Sequence, residues 1–317
     1  MRWLNLILAL TLSCCLSVSA SAGADSPPVS TQIDVGSYIL QYSGYVDESF
    51  RQTQFFVRNF DNNFFLFDTR LELLPKDGLI WGPYGRFAGN ISGHDDSGNP
   101  NAGFESVLNS EPGGGIELFP FSAPMFKSGK LAALGRIFGP LRLFGEYNHV
   151  DYTIFGAQND FRPNRQVRAG FDYFAAYNVN DDRNWWWLEP YSSVIYQSTN
   201  EFTAGYDGTI LGTALRAGVR VPDEGVYSWF TPYLAEESSI TSHPGFAFEN
   251  YCHLGGGVRI APPLDNLPPE LKWMNRFIIY GEYLDRVNNY RGEAPGTPNY
   301  EWRVGIDIAF GQFIFNE

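Results

Sequence analysis

The sequence predicts an all-β chain folded as a transmembrane antiparallel up-and-down β-barrel of about 12 strands, on three observations. The first is the alternation near the C-terminus, where Trp302, Val304, Ile306, Ile308 and Phe310 share one face and Glu301, Arg303, Gly305 and Asp307 the other. In a soluble sheet the apolar row meets a core and the charged row meets water, whereas in a membrane barrel the apolar row meets lipid and the charged row a lumen. The second is the N-terminus, where Arg2 precedes an apolar run from Leu4 to Val18 and then the small-residue box Ala20-Ser21-Ala22, the pattern of a secretory signal peptide. The third is composition. Aromatic residues make up 16% of the chain, there are 33 glycines, and only 18% of residues are charged. Mean hydropathy is −0.22, too polar for helical spans and suited to strands that are apolar on one face only. A secreted β-sandwich or solenoid is the competing reading, because its strands also alternate.

In chain order, residues 1–22 read as the signal peptide, 23–31 as a flexible Ser/Pro-rich leader and 32–317 as the barrel. Leu12-Ser13-Cys14 loosely resembles a lipoprotein processing box that would leave Cys14 or Cys15 acylated, but Thr11 fits that box poorly. Cleavage after Ala22 leaves Cys252 alone, so there is no disulfide framework, and its expected role is that of a small apolar strand residue. The precursor carries a net charge of −13, and loss of Arg2 leaves 21 basic groups against 35 acidic, or −14. Nucleic acid is excluded as a partner on that balance, and outer-membrane lipid is the expected surrounding.

Alternating segments fall at 32–43, 51–60, 63–74, 81–92, 113–120, 139–150, 165–178, 186–198, 207–222, 226–238, 246–261, 275–286 and 299–312. An even count is needed for a bacterial barrel, so twelve is the expectation from these thirteen. Asp61-Asn62-Asn63 and Pro222-Asp223-Glu224-Gly225 read as tight turns. The gaps from His94 to Glu111, Gly156 to Asn164 and Arg286 to Asn299 read as long loops, suggesting an alternation of short turns and long loops. Ser122 to Phe138 can form a short amphipathic helix and Pro268 to Met274 a helical turn, against ordinary loops.

One hairpin pattern is used twice. Leu143-Phe144-Gly145-Glu146-Tyr147 returns as Ile279-Tyr280-Gly281-Glu282-Tyr283, and each is followed by a strand with Arg-x-Gly-x-Asp, at Arg168 to Asp172 and at Arg303 to Asp307. Arg216-Ala217-Gly218-Val219-Arg220 varies the theme. A charge facing lipid at mid-depth costs roughly 2–4 kcal/mol, which assigns Glu146, Arg168, Asp172, Arg216, Arg220, Glu282, Glu301, Arg303 and Asp307 to the lumen. There they can pair across strands as a structural ladder, line a hydrated path, or do both.

Trp185-Trp186-Trp187 follows Asp181, Asp182 and Arg183 at a strand start and reads as an interfacial aromatic girdle or as a stacking platform for sugar rings. Trp81, Tyr84, Trp229, Tyr233 and Trp302 read as girdle or lipid-facing residues. The triplets Gly113-Gly114-Gly115 and Gly255-Gly256-Gly257 lead into strands with no Lys-Ser/Thr, which points to barrel bends and away from phosphate loops. His149 with Asp151, and Ser238, Ser239 and Ser242 before His243, set no catalytic geometry, and no enzymatic step is expected. Asp95, Asp96 and Glu105 read as a solvated acidic loop; no metal or cofactor is implied.

Arg168-Ala169-Gly170-Phe171-Asp172-Tyr173, then Trp186-Trp187-Leu188-Glu189-Pro190-Tyr191 and Ser198-Thr199-Asn200, resembles the C-terminal barrels of exopolysaccharide-export outer-membrane proteins and of the bacteriophage N4 adsorption protein A. The likeness covers about a third of the chain, without the tetratricopeptide region such proteins carry before the barrel. Phe310, Phe313 and Phe315 resemble the C-terminal signal read by barrel-assembly machinery, although the chain ends in Asn316-Glu317. The resemblance implies a passage for a polar polymer, polysaccharide above all, with periplasmic export or assembly proteins as partners. The alternatives are a closed structural or receptor barrel whose loops bind a partner or phage, and a lipid-modifying enzyme.

Overall fold

The computed structural model describes residues 32–55, 58–94, 107–154, 164–178, 184–199, 206–220, 229–243, 250–260, 277–290 and 298–310. Thirteen strands form one antiparallel sheet: β1 (Gln32–Val35), β2 (Tyr38–Phe55), β3 (Arg58–Pro75), β4 (Ile80–His94), β5 (Val107–Phe119), β6 (Leu141–Ile154), β7 (Asn164–Phe174), β8 (Trp186–Thr199), β9 (Tyr206–Val219), β10 (Phe230–Thr241), β11 (Tyr251–Ile260), β12 (Phe277–Asn289) and β13 (Pro298–Phe310). Each strand from β2 onward pairs with the next, and β13 pairs back onto β2, so twelve strands close the barrel. Closure removes the unpaired edges that cannot exist in lipid.

β1 is the thirteenth strand and stands outside the ring. It folds back on the start of β2 through Gly36-Ser37, where Gly36 takes a φ of +61°, the conformation a two-residue hairpin loop demands. The expected single strand 32–43 is therefore broken by Gly36.

The tight turn expected at Asp61-Asn62-Asn63 is corrected: these residues lie inside β3, with Asn62 opposite Arg51 on β2 and His94 on β4. Turn-forming residue types were overridden by pairing on both sides. The turn expected at Pro222 to Gly225, the helical turn expected at Pro268 to Met274, the expected signal and leader, and residues 95–106, expected as an acidic loop, lie outside the described residues.

With an even number of barrel strands, both ends of the sheet, β2 and β13, open on one rim. That rim carries the long connections from Phe119 to Leu141 and from Ile260 to Phe277, while the opposite rim carries the very short one between Phe55 and Arg58. The expected division into one short-turn end and one long-loop end does not hold. The Phe119 to Leu141 connection contains three 3-10 turns and α1 (Ala132–Phe138). Phe121 packs against Phe126 and Phe138 at 5.1 and 5.4 Å, and Tyr173, from the outer register of β7, donates to the Ile137 carbonyl at 3.0 Å. Of the helix expected over Ser122 to Phe138, only Ala132–Phe138 is α-helical, and it rests at the rim beside the outer wall.

The two faces of the wall settle which medium each meets. Trp302, Val304 and Ile306 on β13, Leu211 and Leu215 on β9 and Leu234 on β10 are exposed on the outside, Leu234 at 74%. Their alternates Glu301, Arg303, Arg216 and Tyr233 point inward. A closed sheet that is apolar outside and charged inside reverses the arrangement of a soluble barrel, and lipid is the medium that stabilises it.

Candidate functional site: the charged lumen lining

Alternation along each strand sends one residue in two into the lumen, and the sequence places glutamate and arginine at those positions on neighbouring strands. Glu146 on β6 stands directly opposite Arg168 on β7, and Glu282 on β12 directly opposite Arg303 on β13. The ion pairs group on two walls.

On the first wall, Arg168 Nη1 reaches Glu146 Oε1 at 2.7 Å, Arg86 reaches it at 3.6 Å, and the Tyr84 hydroxyl donates to Glu146 Oε2 at 2.6 Å. Arg86 also pairs with Asp68 at 3.0 Å and Glu111 at 3.2 Å. Nearer the terminus rim, Arg142 joins Glu117 at 3.3 Å to Asp172 and lies 4.6 Å above the Phe144 ring. Glu72 accepts from Gln41 at 3.1 Å and from Ser43 at 3.4 Å.

On the second wall, Arg216 Nε reaches Glu282 Oε2 at 3.0 Å, spanning from β9 to β12. Arg303 meets Glu301 at 2.5 Å, Glu237 at 2.8 Å and Glu282 at 3.4 Å, and Tyr251 donates to Glu237 at 3.1 Å. Arg259 pairs with Glu189 and covers the Trp187 ring at 4.2 Å, with Tyr233 packed against that ring at 5.6 Å. Tyr280 donates to Asp47 at 2.5 Å; Asp47 stands opposite Asp307.

Eight of the nine residues assigned to the lumen from sequence thus lie on the inward register of their strands. Arg220 shares that register but stands one residue past the end of β9, bonded through Nη1 to the Asn184 carbonyl at 3.1 Å. It is a rim residue, and no constriction is to be expected from it.

The tryptophan run divides. Trp185 and Trp186 are exposed and suit a girdle, whereas Trp187 is 2% exposed and turned inward, where Gly218 leaves the room its ring occupies. Trp187 is therefore corrected from girdle to lumen wall, and Arg259 lies over the face a sugar would need. Trp81 and Trp302 are exposed as expected, but Tyr84 and Tyr233 are buried inward.

Sequence reasoning missed Arg86, Arg142 and Arg259, the arginines that join strands into walls. Arg142 carried a signal, since it lies four residues before Glu146 and so on its face. Charges also stand on the outward register: Arg165, Asp207 and Asp285 are exposed toward the strand ends, and Glu236 lies beside Leu234, where Thr213 donates to it at 3.1 Å and Ser238 also bonds it. Those hydroxyls supply the hydrogen bonds that a lipid-facing carboxylate cannot obtain from water.

Between the two walls, on the half of the lumen away from the termini, lies a cavity of about 340 Å³. Small residues make it: Ser193, Gly212, Ala214 and Ser239 leave room between Arg168, Tyr191, Gln197, Glu237 and Tyr251.

A closed twelve-strand sheet, apolar outside and ion-paired within, defines an integral β-barrel of the bacterial outer membrane. No protein-family model and no curated protein matches the chain. Solved structures with a similar fold include the β-domain of the Bordetella autotransporter BrkA, 14% identical with a TM-score of 0.38, covering 85% of this chain and 99% of that one. An outer-membrane channel from Pseudomonas putida is 9% identical with a TM-score of 0.39, covering 90% and 100%. The Pseudomonas aeruginosa protein OccK5 is 9% identical with a TM-score of 0.29, covering 86% and 98%. Likeness at this level concerns barrel architecture alone.

Proposed function

We propose that the barrel is a passage for a polar solute or polymer across the outer membrane, with polysaccharide as its cargo. The observation that carries this reading is the lumen cavity of about 340 Å³, whose lining mixes hydroxyls, an amide, a carboxylate, a guanidinium and two tyrosines. Such a set replaces water around a hydroxyl-rich chain through many weak contacts, and weak multi-site binding is what transit requires. No covalent step is assigned to the chain, and its partners are membrane lipid, the cargo and periplasmic export or assembly proteins.

A closed receptor barrel is the second reading, favoured by the density of ion pairs, since arginine bulk can fill a lumen of this size. The two are separated by current block. The refolded protein is inserted in a planar bilayer and neutral oligosaccharides of increasing length are added. The passage reading expects concentration-dependent block that lengthens with the oligomer. Conduction without block overturns polysaccharide as cargo, and a folded barrel that never conducts overturns the passage.

A further inference from the structure

The repeated motifs extend beyond the hairpins seen in the sequence. Pro-Tyr, a glycine triplet, Gly-Glu-Tyr and Arg-x-Gly-x-Asp occur on β4, β5, β6 and β7 and again, in that order, on β10, β11, β12 and β13. The pairing register repeats as well. Tyr84, Gly115, Glu146 and Arg168 stand side by side across the first four strands. Tyr233, Gly257, Glu282 and Arg303 do so across the second four. A slip of one residue at any of the three pairings would turn a side chain to the other face, so agreement at all of them marks one unit built twice.

The glycines repeat their close approaches too. A Cβ on Gly115 would run into the Gly145 carbonyl oxygen, and one on Gly257 into that of Gly281. A Cβ on Gly114 or on Gly256 would each lie 2.6 Å from the carbonyl oxygen of Tyr84 or Tyr233. The same glycine kink is thus placed at the same point of both units.

Equivalent strands of the two units lie six apart in a ring of twelve, on opposite sides of the lumen. Glu146 is the sixth residue of β6 and Glu282 the sixth of β12, which sets the two rows at one level. We infer that the two rows are halves of one constriction, at which a solute passes between the Glu146–Arg168 pair on one side and the Glu282–Arg303 pair on the other. Each half holds a glutamate, 1% exposed, covered by the guanidiniums that pair with it, with a buried tyrosine beside it. The solute chemistry that fits is an uncharged polyol, whose oxygens can accept from the guanidiniums that stay part-exposed at this level, Arg168 at 20% and Arg216 at 31%. The selectivity part of this inference rests on the passage reading.

Two measurements test it. Tyr84→Cys and Tyr233→Cys, each made with Cys252→Ser, are reacted in vesicles with a small charged methanethiosulfonate, folding being checked by heat-modifiable gel mobility. Similar rates are expected for both. In bilayers, Glu146→Gln and Glu282→Gln keep side-chain shape and are expected to shift the cation-to-anion permeability ratio in the same direction by similar factors that multiply in the double variant. Labelling at one tyrosine position with protection at the other, or a shift from one glutamate alone, overturns the paired constriction. A wild-type barrel that never conducts overturns the passage reading; the labelling rates then decide the paired level by themselves.

Discussion

The β4–β7 unit and the β10–β13 unit hold the same carboxylate in the same row but recruit its second arginine from different places. Glu146 is met by Arg168 across the hairpin and by Arg86, two residues beyond Tyr84 on the first strand of its own unit. The matching slot in the other unit is Ala235, and Glu282 takes its second guanidinium from Arg216 on β9, one strand outside the unit. Two residues further along, Asn148 occupies the place that Leu284 fills in the other unit, and both are buried. What persists between the copies is the balance of charge around a buried glutamate; the residue that supplies it does not. A carboxylate taken out of water is stable only with its partners in place, so the pairing is conserved in effect while the second arginine shifts by a strand.

The largest effect should come from removing either glutamate. Glu146→Ala takes from Arg168, and Glu282→Ala from Arg216, the carboxylate it pairs with, in a site where the glutamate side chain is 1% exposed, and each is expected to destabilise the barrel by about 3–5 kcal/mol in urea unfolding from vesicles. A large loss in one unit and none in the other would break the equivalence. Next, Gly257→Val and Gly115→Val place a branched side chain against the neighbouring carbonyl, and an overpacking cost of about 1–3 kcal/mol is expected in both by the same measurement.

A transplant sharpens the comparison further. Arg216→Ala should lose stability, and adding Ala235→Arg should recover part of it by restoring the first unit's arrangement in the second; no recovery would mean that Arg216 acts through packing alone. The smallest effect is expected for Tyr84→Phe, which deletes a 2.6 Å hydrogen bond to an ionised group and should cost about 1.5 kcal/mol.

The class of fold was legible because the alternation at Glu301 to Phe310 and the signal-like N-terminus constrain the medium on each face, and period-two patterning survives whatever the neighbours are. The Gly-Glu-Tyr and Arg-x-Gly-x-Asp strands were legible as lumen walls for the same reason. Less visible was anything set by pairing partners. Asp61-Asn62-Asn63 carries turn chemistry yet continues β3, because β2 and β4 hold it on both sides. Trp187 reads like its two neighbours and differs only through the vacancy at Gly218 on the adjacent strand. Arg86 and Arg259 look isolated in the chain, and their partners lie one to three strands away. The equivalence of Gly115 and Gly257 needed the cross-strand register, which no spacing within one strand encodes.

Single-channel recording of the refolded wild-type protein lacking residues 1–22 under a salt gradient tests the account most directly. Inward carboxylates outnumber inward arginines on the described strands, so stable openings with a preference for cations are the predicted result. A correctly folded barrel that stays silent at all voltages, or one that conducts with a clear preference for anions, would contradict it.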